Sequence, residues 1–145
     1  MAKKVVLVGC IDYRLQPRLD GRDALRDLHL REGAESYRLQ LAGGIRFLVE
    51  RYDIFLSSPY FFSVEKAVKE GGASEIWLIL HGGGCAGYSD VGLRSPQDEM
   101  KLHLMHLAKA REIYRRHFTE VPVRLFYAHP DSESADNLQV DEILA

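Results

Sequence analysis

Short apolar runs alternate with helix-like segments along this chain. Residues 4–8 form a β-branched run, and five consecutive apolar side chains extend from Ile76 to Leu80. Continuous runs of this length, without polar alternation, are typical of strands that are buried on both faces of a sheet. The pattern therefore predicts four strands, over residues 4–8, 37–41, 75–80 and 122–127.

The segments between these runs show helical periodicity. The pairs Ser58-Pro59 and Ser95-Pro96 each place an N-cap serine before a proline at the first helical position, which is typical of helix starts. Paired glycines at 71–72 are expected to end one of these helices. The predicted helices span about residues 19–31, 45–52, 59–70 and 96–118.

Helical connections between short apolar strands predict one α/β domain over residues 1–145. We expect a mainly parallel, four-stranded sheet with helices on both faces. Ligands of such sheets bind beyond the carboxyl ends of the strands, so candidate chemistry is expected in the loops that follow them. The acidic and polar tail from Asp131 onward is expected to be loose or to dock on a partner.

Composition narrows the class of protein. Of the 145 residues, 46% are hydrophobic, and 19 basic and 21 acidic side chains give a formal net charge of −2. The lack of a basic excess argues against binding to nucleic acid or to an anionic membrane surface. No apolar run approaches the roughly 18 residues of a membrane span, and the short run after Met1 is not typical of a signal sequence. We therefore expect a cytoplasmic protein whose two cysteines are free, buried or bound to metal.

Both cysteines follow predicted strands. Cys10 leaves the first strand with Asp12 and Arg14 at alternate positions, so an extended chain would project these three side chains to one side. His81 and Cys85 flank three glycines after the third strand. Two thiolates and an imidazole, with an open fourth position, form a known catalytic zinc set. The sequence thus predicts a Zn²⁺ site at Cys10, His81 and Cys85, although buried apolar cysteines and a plain glycine turn stay open as an alternative.

These motifs resemble those of the β-class carbonic anhydrases. The motif Cys10-x-Asp12-x-Arg14 is similar to the first zinc motif of that family, and residues 42–44 resemble its Arg-Asn-Ala-Gly turn. Residues 63–85 resemble its helix, strand and second zinc motif. The similarity extends in the same order over most of the chain.

The resemblance implies a β-carbonic anhydrase-like fold and the reversible hydration of carbon dioxide to bicarbonate and a proton. Zinc would lower the pKa of a bound water to about 7. Asp12 would orient the attacking hydroxide or take the fourth zinc position in a closed form, and Arg14 would hold that carboxylate by paired hydrogen bonds. The family further implies a homodimer or a larger even homo-oligomer, with a small-molecule substrate and sites near the subunit interface.

A departure from the family's pattern leaves other functions open. The family spaces its second motif as H-x-x-C, whereas this chain has H-x-x-x-C, so the extra glycine is either absorbed by the loop or moves Cys85 off the metal. The same site could hydrate a related small electrophile, such as carbonyl sulfide or carbon disulfide. A chain without metal would be a ligand-binding relative, or a nucleotide-binding protein if Gly82-x-Gly84-x-x-Gly87 acts as a dinucleotide fingerprint.

The remaining histidines have simpler interpretations. His129 follows the fourth strand, as a loop residue, a proton shuttle or a substitute ligand. His103 and His106 are predicted on a solvated face of the last helix. Tyr88 either lines the pocket or packs in the core. The inward stripe of the last helix is predicted to be Met100, Leu104, Leu107 and Tyr114.

Overall fold

The fold is an α/β arrangement around one mostly parallel sheet, in a computed structural model that describes residues 2–130 and 136–144. The sheet has five strands in the order β2-β1-β3-β4-β5. The first four run parallel, and β5 pairs antiparallel with β4 at one edge. The strands are β1 (Lys3–Gly9), β2 (Ala34–Gln40), β3 (Glu75–His81), β4 (Val123–Pro130) and β5 (Leu138–Ile143).

The fifth strand corrects the expectation of a four-stranded sheet with a loose or docking tail. Leu138 and Val140 are buried and alternate with exposed Gln139. This is the period-two pattern of an edge strand that covers the core with one face. Asp141 and Glu142 interrupt the apolar positions, which concealed the pattern in the sequence. The start of the tail, residues 131–135, lies outside the described residues.

In the part of the chain that the structure describes, five α-helices connect the strands, and serine side chains cap two of them as predicted. Ser58 Oγ accepts from the amide of Phe61 at 3.4 Å, and Ser95 Oγ accepts from the amide of Asp98 at 3.1 Å. Among the residues described, no helix is both long and apolar enough to cross a membrane. The helices are α1 (Ala24–Glu32), α2 (Gly44–Glu50), α3 (Tyr52–Leu56), α4 (Pro59–Lys69) and α5 (Pro96–His117).

Helix α1 begins five residues later than predicted. Asp23 is its N-cap, and its carboxylate accepts from the amide of Arg26 at 3.0 Å. Leu19, the predicted start, lies fully exposed before this cap. An aspartate that accepts a hydrogen bond from the first turn stabilises a helix start, and it outweighs one apolar residue placed upstream.

The helices cover both faces of the sheet, as expected. In β1, Val5 and Leu7 face the layer that holds α1, while Val6 and Val8 face the layer formed by α2 to α5. Strand β3 alternates in the same way. Both central strands are therefore buried on each face, and their carboxyl ends open at one edge of the sheet.

The buried stripe of α5 differs from the predicted one. His103 and His106 are buried, whereas Met100 is 40% exposed. His103 Nδ1 lies 3.1 Å from the hydroxyl oxygen of Tyr127, and His106 Nδ1 lies 2.7 Å from that of Tyr88. The prediction of a solvated face was wrong because these tyrosine hydroxyls pair with the Nδ1 atom of each imidazole, and hydrogen bonding lowers the cost of burying a polar group.

Candidate metal centre

The carboxyl ends of β1 and β3 bring the predicted ligands together. The two strands pair side by side from Val5 with Glu75 to Val8 with Leu78, so both end at the same edge. Cys10 directly follows β1, and His81 is the last residue of β3. The order of the strands therefore puts two donors beside each other before any loop geometry is considered.

The third donor completes a compact group. The Sγ atoms of Cys10 and Cys85 lie 3.3 Å apart, and the ligand atoms of Cys10, His81 and Cys85 all lie within 4.8 Å of one another. All three side chains are buried. Two sulfurs and one imidazole at such spacing suit a soft or borderline divalent ion.

His81 offers a nitrogen that the protein does not use. Its Nδ1 lies 3.1 Å from the carbonyl oxygen of Gly82, which favours a proton on Nδ1. Its Nε2 is buried, has no hydrogen-bond partner among the described residues, and lies 3.5 Å from Asp12 Oδ2. A buried ring nitrogen without a partner is costly, unless a ligand takes its lone pair. Three donors that include this nitrogen fit a bound metal ion.

The extra residue between His81 and Cys85 is absorbed by left-handed backbone. Gly83 has φ +74° and Gly84 has φ +87°, a region that glycine enters without a side-chain clash. A Cβ on Gly83 would also lie 2.7 Å from Arg14 Nη1. Two tight left-handed residues shorten the loop, so Cys85 still reaches Cys10.

The backbone of two glycines favours the charged forms of the sulfurs. The backbone of Gly43 lowers the pKa of Cys10, and the backbone of Gly87 partly offsets the rise in the pKa of Cys85. Gly43 belongs to the turn over residues 42–44 that carried part of the sequence resemblance. Hydrogen bonds from backbone amides stabilise thiolates in the way that outer partners commonly support metal ligands.

The pKa values of the two thiols shift in opposite directions. The hydrogen bond from Cys85 lowers the pKa of Cys10, while the same contact and burial raise the pKa of Cys85. Burial alone would lower the pKa of His81, but its contacts with Cys10, the Gly82 carbonyl and the charge of Asp12 raise it. A negative charge on Cys10 is thus favoured, as a metal ligand requires.

Asp12 and Arg14 form a two-pronged ion pair at the edge of the group. Arg14 donates from Nε to Asp12 Oδ1 at 2.9 Å and from Nη2 to Asp12 Oδ2 at 3.0 Å. Burial raises the pKa of Asp12, but these bonds and the amide of Arg14 outweigh it and keep the pKa below its ordinary value. Asp12 is therefore ionised and held in one orientation.

The route by which these side chains meet differs from the extended chain that we predicted. The chain is extended only to Asp12, and residues Tyr13–Leu15 then form a short helical turn capped by the Asp12 carboxylate. Arg14 reaches Asp12 because the turn folds it back. The convergence holds, although the alternation that predicted it stops at Asp12.

A cleft connects Asp12 with solvent. It has a volume of about 500 Å³, and its polar lining includes Arg38 and Gln40 of β2. Gln40 donates to the carbonyl oxygen of Cys10 at 3.4 Å. A small molecule that enters this cleft would meet the Asp12 carboxylate first and the three buried donors behind it.

Other predicted candidates lie outside the group. His129 lies 2.5 Å from Asp141 of β5, an ion pair if the imidazole is protonated, and lines a separate cavity of about 480 Å³ beyond the glycine loop. Tyr88 is buried in the core and also lines a cavity of about 410 Å³ that reaches Cys85. A short turn over Ala86–Tyr88, rather than a helix, follows the loop, which argues against a dinucleotide site there.

Glu99 is a residue of this region that the sequence did not indicate. Its carboxylate accepts from the amides of Gly83 at 2.9 Å and Gly84 at 3.2 Å. A glutamate in the first turn of a helix is common for its favourable interaction with the helix dipole, so its position alone gave no sign of this contact.

Comparison of the chain with protein families, curated proteins and solved structures finds no match.

Proposed function

We propose that this protein is a zinc-dependent hydratase that converts carbon dioxide and water to bicarbonate and a proton, reversibly. The observation that supports this proposal most strongly is the meeting of Cys10, His81 and Cys85 within 4.8 Å, with Asp12 held beside His81 by Arg14. The sequence resemblance to β-class carbonic anhydrases proposes the same residues for the same roles.

The donor set suits Zn²⁺ in a buried position. Two thiolates balance the charge of a divalent ion, so that little net charge has to be buried with it. Zinc held by three protein ligands acts as a Lewis acid and brings the pKa of water near 7. Cys10, Cys85 and the Nε2 atom of His81 would hold the ion, and the backbone of Gly43 and Gly87 would support the two sulfurs.

Asp12 would orient the reacting water and accept its hydrogen bond. Its Oδ2 atom lies 3.5 Å from His81 Nε2, beside the donor group and on the side of the cleft. In the reaction one water oxygen bonds to the carbon of carbon dioxide, and one proton leaves. Because Arg14 keeps Asp12 ionised and fixed, the carboxylate is ready to accept and is kept from turning onto the metal donors.

The cleft is consistent with a small neutral substrate and an anionic product. Arg38 lines it and makes no ion pair with any residue that the structure describes. A guanidinium in this cleft would attract bicarbonate away from the donors and towards solvent. Carbonyl sulfide and carbon disulfide have a similar linear shape, so they are alternative substrates to be tested beside carbon dioxide.

We also propose that two copies of the chain associate through the β2 edge. In the described residues β2 pairs only with β1, and Tyr37 and Phe62 are exposed beside that edge, around a groove of about 630 Å³. Unpaired edges and exposed aromatic side chains favour association with another chain. Light scattering should give twice the monomer mass, and Phe62→Glu should reduce it to that of a monomer; a monomeric wild-type protein would refute the dimer.

The decisive experiment combines elemental analysis with stopped-flow hydration assays. We expect one zinc per chain after dialysis, and hydration of carbon dioxide above the uncatalysed rate. Cys10→Ser should lose zinc and activity together, whereas Ser89→Ala, an exposed change in the loop beyond Cys85, should lose neither. If the protein binds zinc and turns over carbonyl sulfide or carbon disulfide but not carbon dioxide, the proposed substrate is wrong. If the chain binds no zinc, the proposal of a zinc enzyme is refuted.

A further inference from the structure

Glu99 holds the loop that carries Cys85, although it lies 14 residues further along the chain. Its side chain is 9% exposed, and both carboxylate oxygens are used: Oε1 accepts from Gly83 and Oε2 from Gly84. Glu99 lies in the first turn of α5, whose partial positive charge favours a carboxylate. The rigid 22-residue helix thus carries an anchor for the loop.

The loop needs such an anchor. Its three glycines have more conformational freedom than any other residues, so Cys85 would occupy many positions if the loop were unsupported. Arg14 donates to the Gly84 carbonyl oxygen at 3.0 Å from the other side. Amides bound to Glu99 and a carbonyl bound to Arg14 fix the peptide between them in one orientation.

The anchor acts on the spacing between the two sulfurs. Gly84 directly precedes Cys85, whose Sγ lies 3.3 Å from that of Cys10. Cys10 leaves a central strand and is held there, so the distance between the sulfurs depends mainly on the loop. Glu99 has no donor atom in the metal group, and its effect must pass through the two glycine amides.

We infer that Glu99 is the positioning residue of this centre: it fixes the four-residue reach from His81 to Cys85 so that both sulfurs can bind one metal ion. The inference rests on the proposed function for the identity of the metal, but the positioning of Cys85 beside Cys10 does not depend on it. The loop from His81 to Cys85 is one residue longer than in an H-x-x-C motif, and Glu99 holds this longer loop from outside.

Metal affinity provides the first test. Co²⁺ alone serves as the probe, because cobalt bound to thiolates absorbs light. Glu99→Gln keeps the length of the side chain but sets an NH₂ group against one glycine amide, and it should weaken Co²⁺ binding roughly 10- to 100-fold. Glu99→Ala should weaken it further. Asp98→Asn removes the same charge from the same helical turn without touching the loop, and it should bind Co²⁺ like the wild type.

Pairing of the thiols provides a second test that needs no metal. In the metal-free protein, a diazene oxidant takes two electrons and two protons from Cys10 and Cys85 and is reduced to the hydrazine as the disulfide forms. The wild type and Asp98→Asn should form this bond rapidly. Glu99→Gln should form it more than about tenfold slower, because misplaced groups react far less often. Circular dichroism and urea unfolding of the metal-free variants check that each is folded.

The outcomes separate this inference from the proposed function. Weaker Co²⁺ binding and slower pairing in folded Glu99→Gln, with Asp98→Asn unchanged, would support the inference. Equal pairing rates in wild type and Glu99→Gln would overturn it, whatever the metal does. If the wild type binds no Co²⁺, the metal centre fails and the pairing rates alone decide the role of Glu99. If Glu99→Ala does not fold, Glu99→Gln decides.

Discussion

Gly87 and Gly43 meet backbone to backbone behind the candidate centre. A Cβ on Gly87 would lie 2.3 Å from the amide nitrogen and 2.4 Å from the Cα of Gly43. No side chain fits between these two turns. Since the backbone of the same two glycines favours the charged forms of Cys10 and Cys85, the turns that meet here are the turns that lie at the two sulfurs.

Replacement of Gly87 by alanine tests this contact. The added methyl group must push two backbone segments apart, and we expect Gly87→Ala to lower the free energy of unfolding by at least about 2 kcal/mol. Zinc affinity should fall with it, because the sulfurs move with their turns. Ala86→Ser, an exposed change in the same turn, is the matched control. Normal zinc content in Gly87→Ala would mean that the contact does not set the spacing of the ligands.

Removal of Arg14 should separate metal binding from activity. Arg14→Ala leaves the three donor residues and the bonds from Glu99 to the glycine loop unchanged, so zinc should be retained, although more weakly because the bond to the Gly84 carbonyl is lost. Hydration should fall roughly 10- to 100-fold because Asp12 loses its support. Arg14 keeps the pKa of Asp12 low against the effect of burial, so in the variant this pKa rises. The acid limb of kcat/KM should therefore move to higher pH.

Two comparisons make the Arg14 test specific. Arg14→Lys keeps the charge but cannot donate from two nitrogens in a fixed fork, and it should give an intermediate rate. Arg22→Ala removes a more exposed arginine from the same segment and should leave the rate unchanged. Unchanged hydration in Arg14→Ala would discard the role proposed for the Asp12–Arg14 pair.

The central strands β1 and β3 could be predicted from the sequence, for a simple reason. Strands buried on both faces must be continuously apolar, and β3 from Ile76 to Leu80 has no polar residue. Parallel strands that are neighbours end at one edge, so Cys10 and His81 had to be close once β1 and β3 were identified. Local pattern and topology were sufficient for these features.

The features that escaped prediction depend on partners far away in the chain. His103 and His106 looked solvated because their hydrogen-bond partners, Tyr127 and Tyr88, belong to other elements. The β5 strand was hidden because Asp141 and Glu142 follow its apolar residues. Glu99 resembled any glutamate in a first helical turn, and only its distance to the glycine loop distinguishes it.

Zinc should stabilise the folded chain if the three donors form one site. The unfolded chain keeps Cys10 and Cys85 apart, so it binds the ion weakly, and zinc shifts the equilibrium towards the folded state. At a free zinc concentration about 100-fold above Kd, the gain should be about 2.7 kcal/mol. Urea unfolding with buffered zinc and with a chelator measures it. The same gain in Cys85→Ser would show that Cys85 is not a ligand.

A buried histidine should make the fold sensitive to acid independently of metal. Burial lowers the pKa of His103 to about 4, with smaller contributions from the charges of His81 and His106. In the unfolded chain a histidine has a pKa of about 6.5. Between these values the unfolded state binds a proton that folded His103 cannot take up, so stability falls as pH falls below about 6.5.

The size of this effect follows from the two pKa values. From pH 7.5 to pH 5 His103 alone should reduce the free energy of unfolding by about 2 kcal/mol. Urea unfolding of the metal-free protein at several pH values measures the loss. His103→Gln can still bond to the hydroxyl of Tyr127 but cannot gain a proton, so it should lose about 2 kcal/mol less than the wild type. Met105→Gln, an exposed change on α5, should behave like the wild type. Identical pH dependence in wild type and His103→Gln would show that His103 accepts its proton in the folded state, and that its burial among the tyrosines does not keep it neutral.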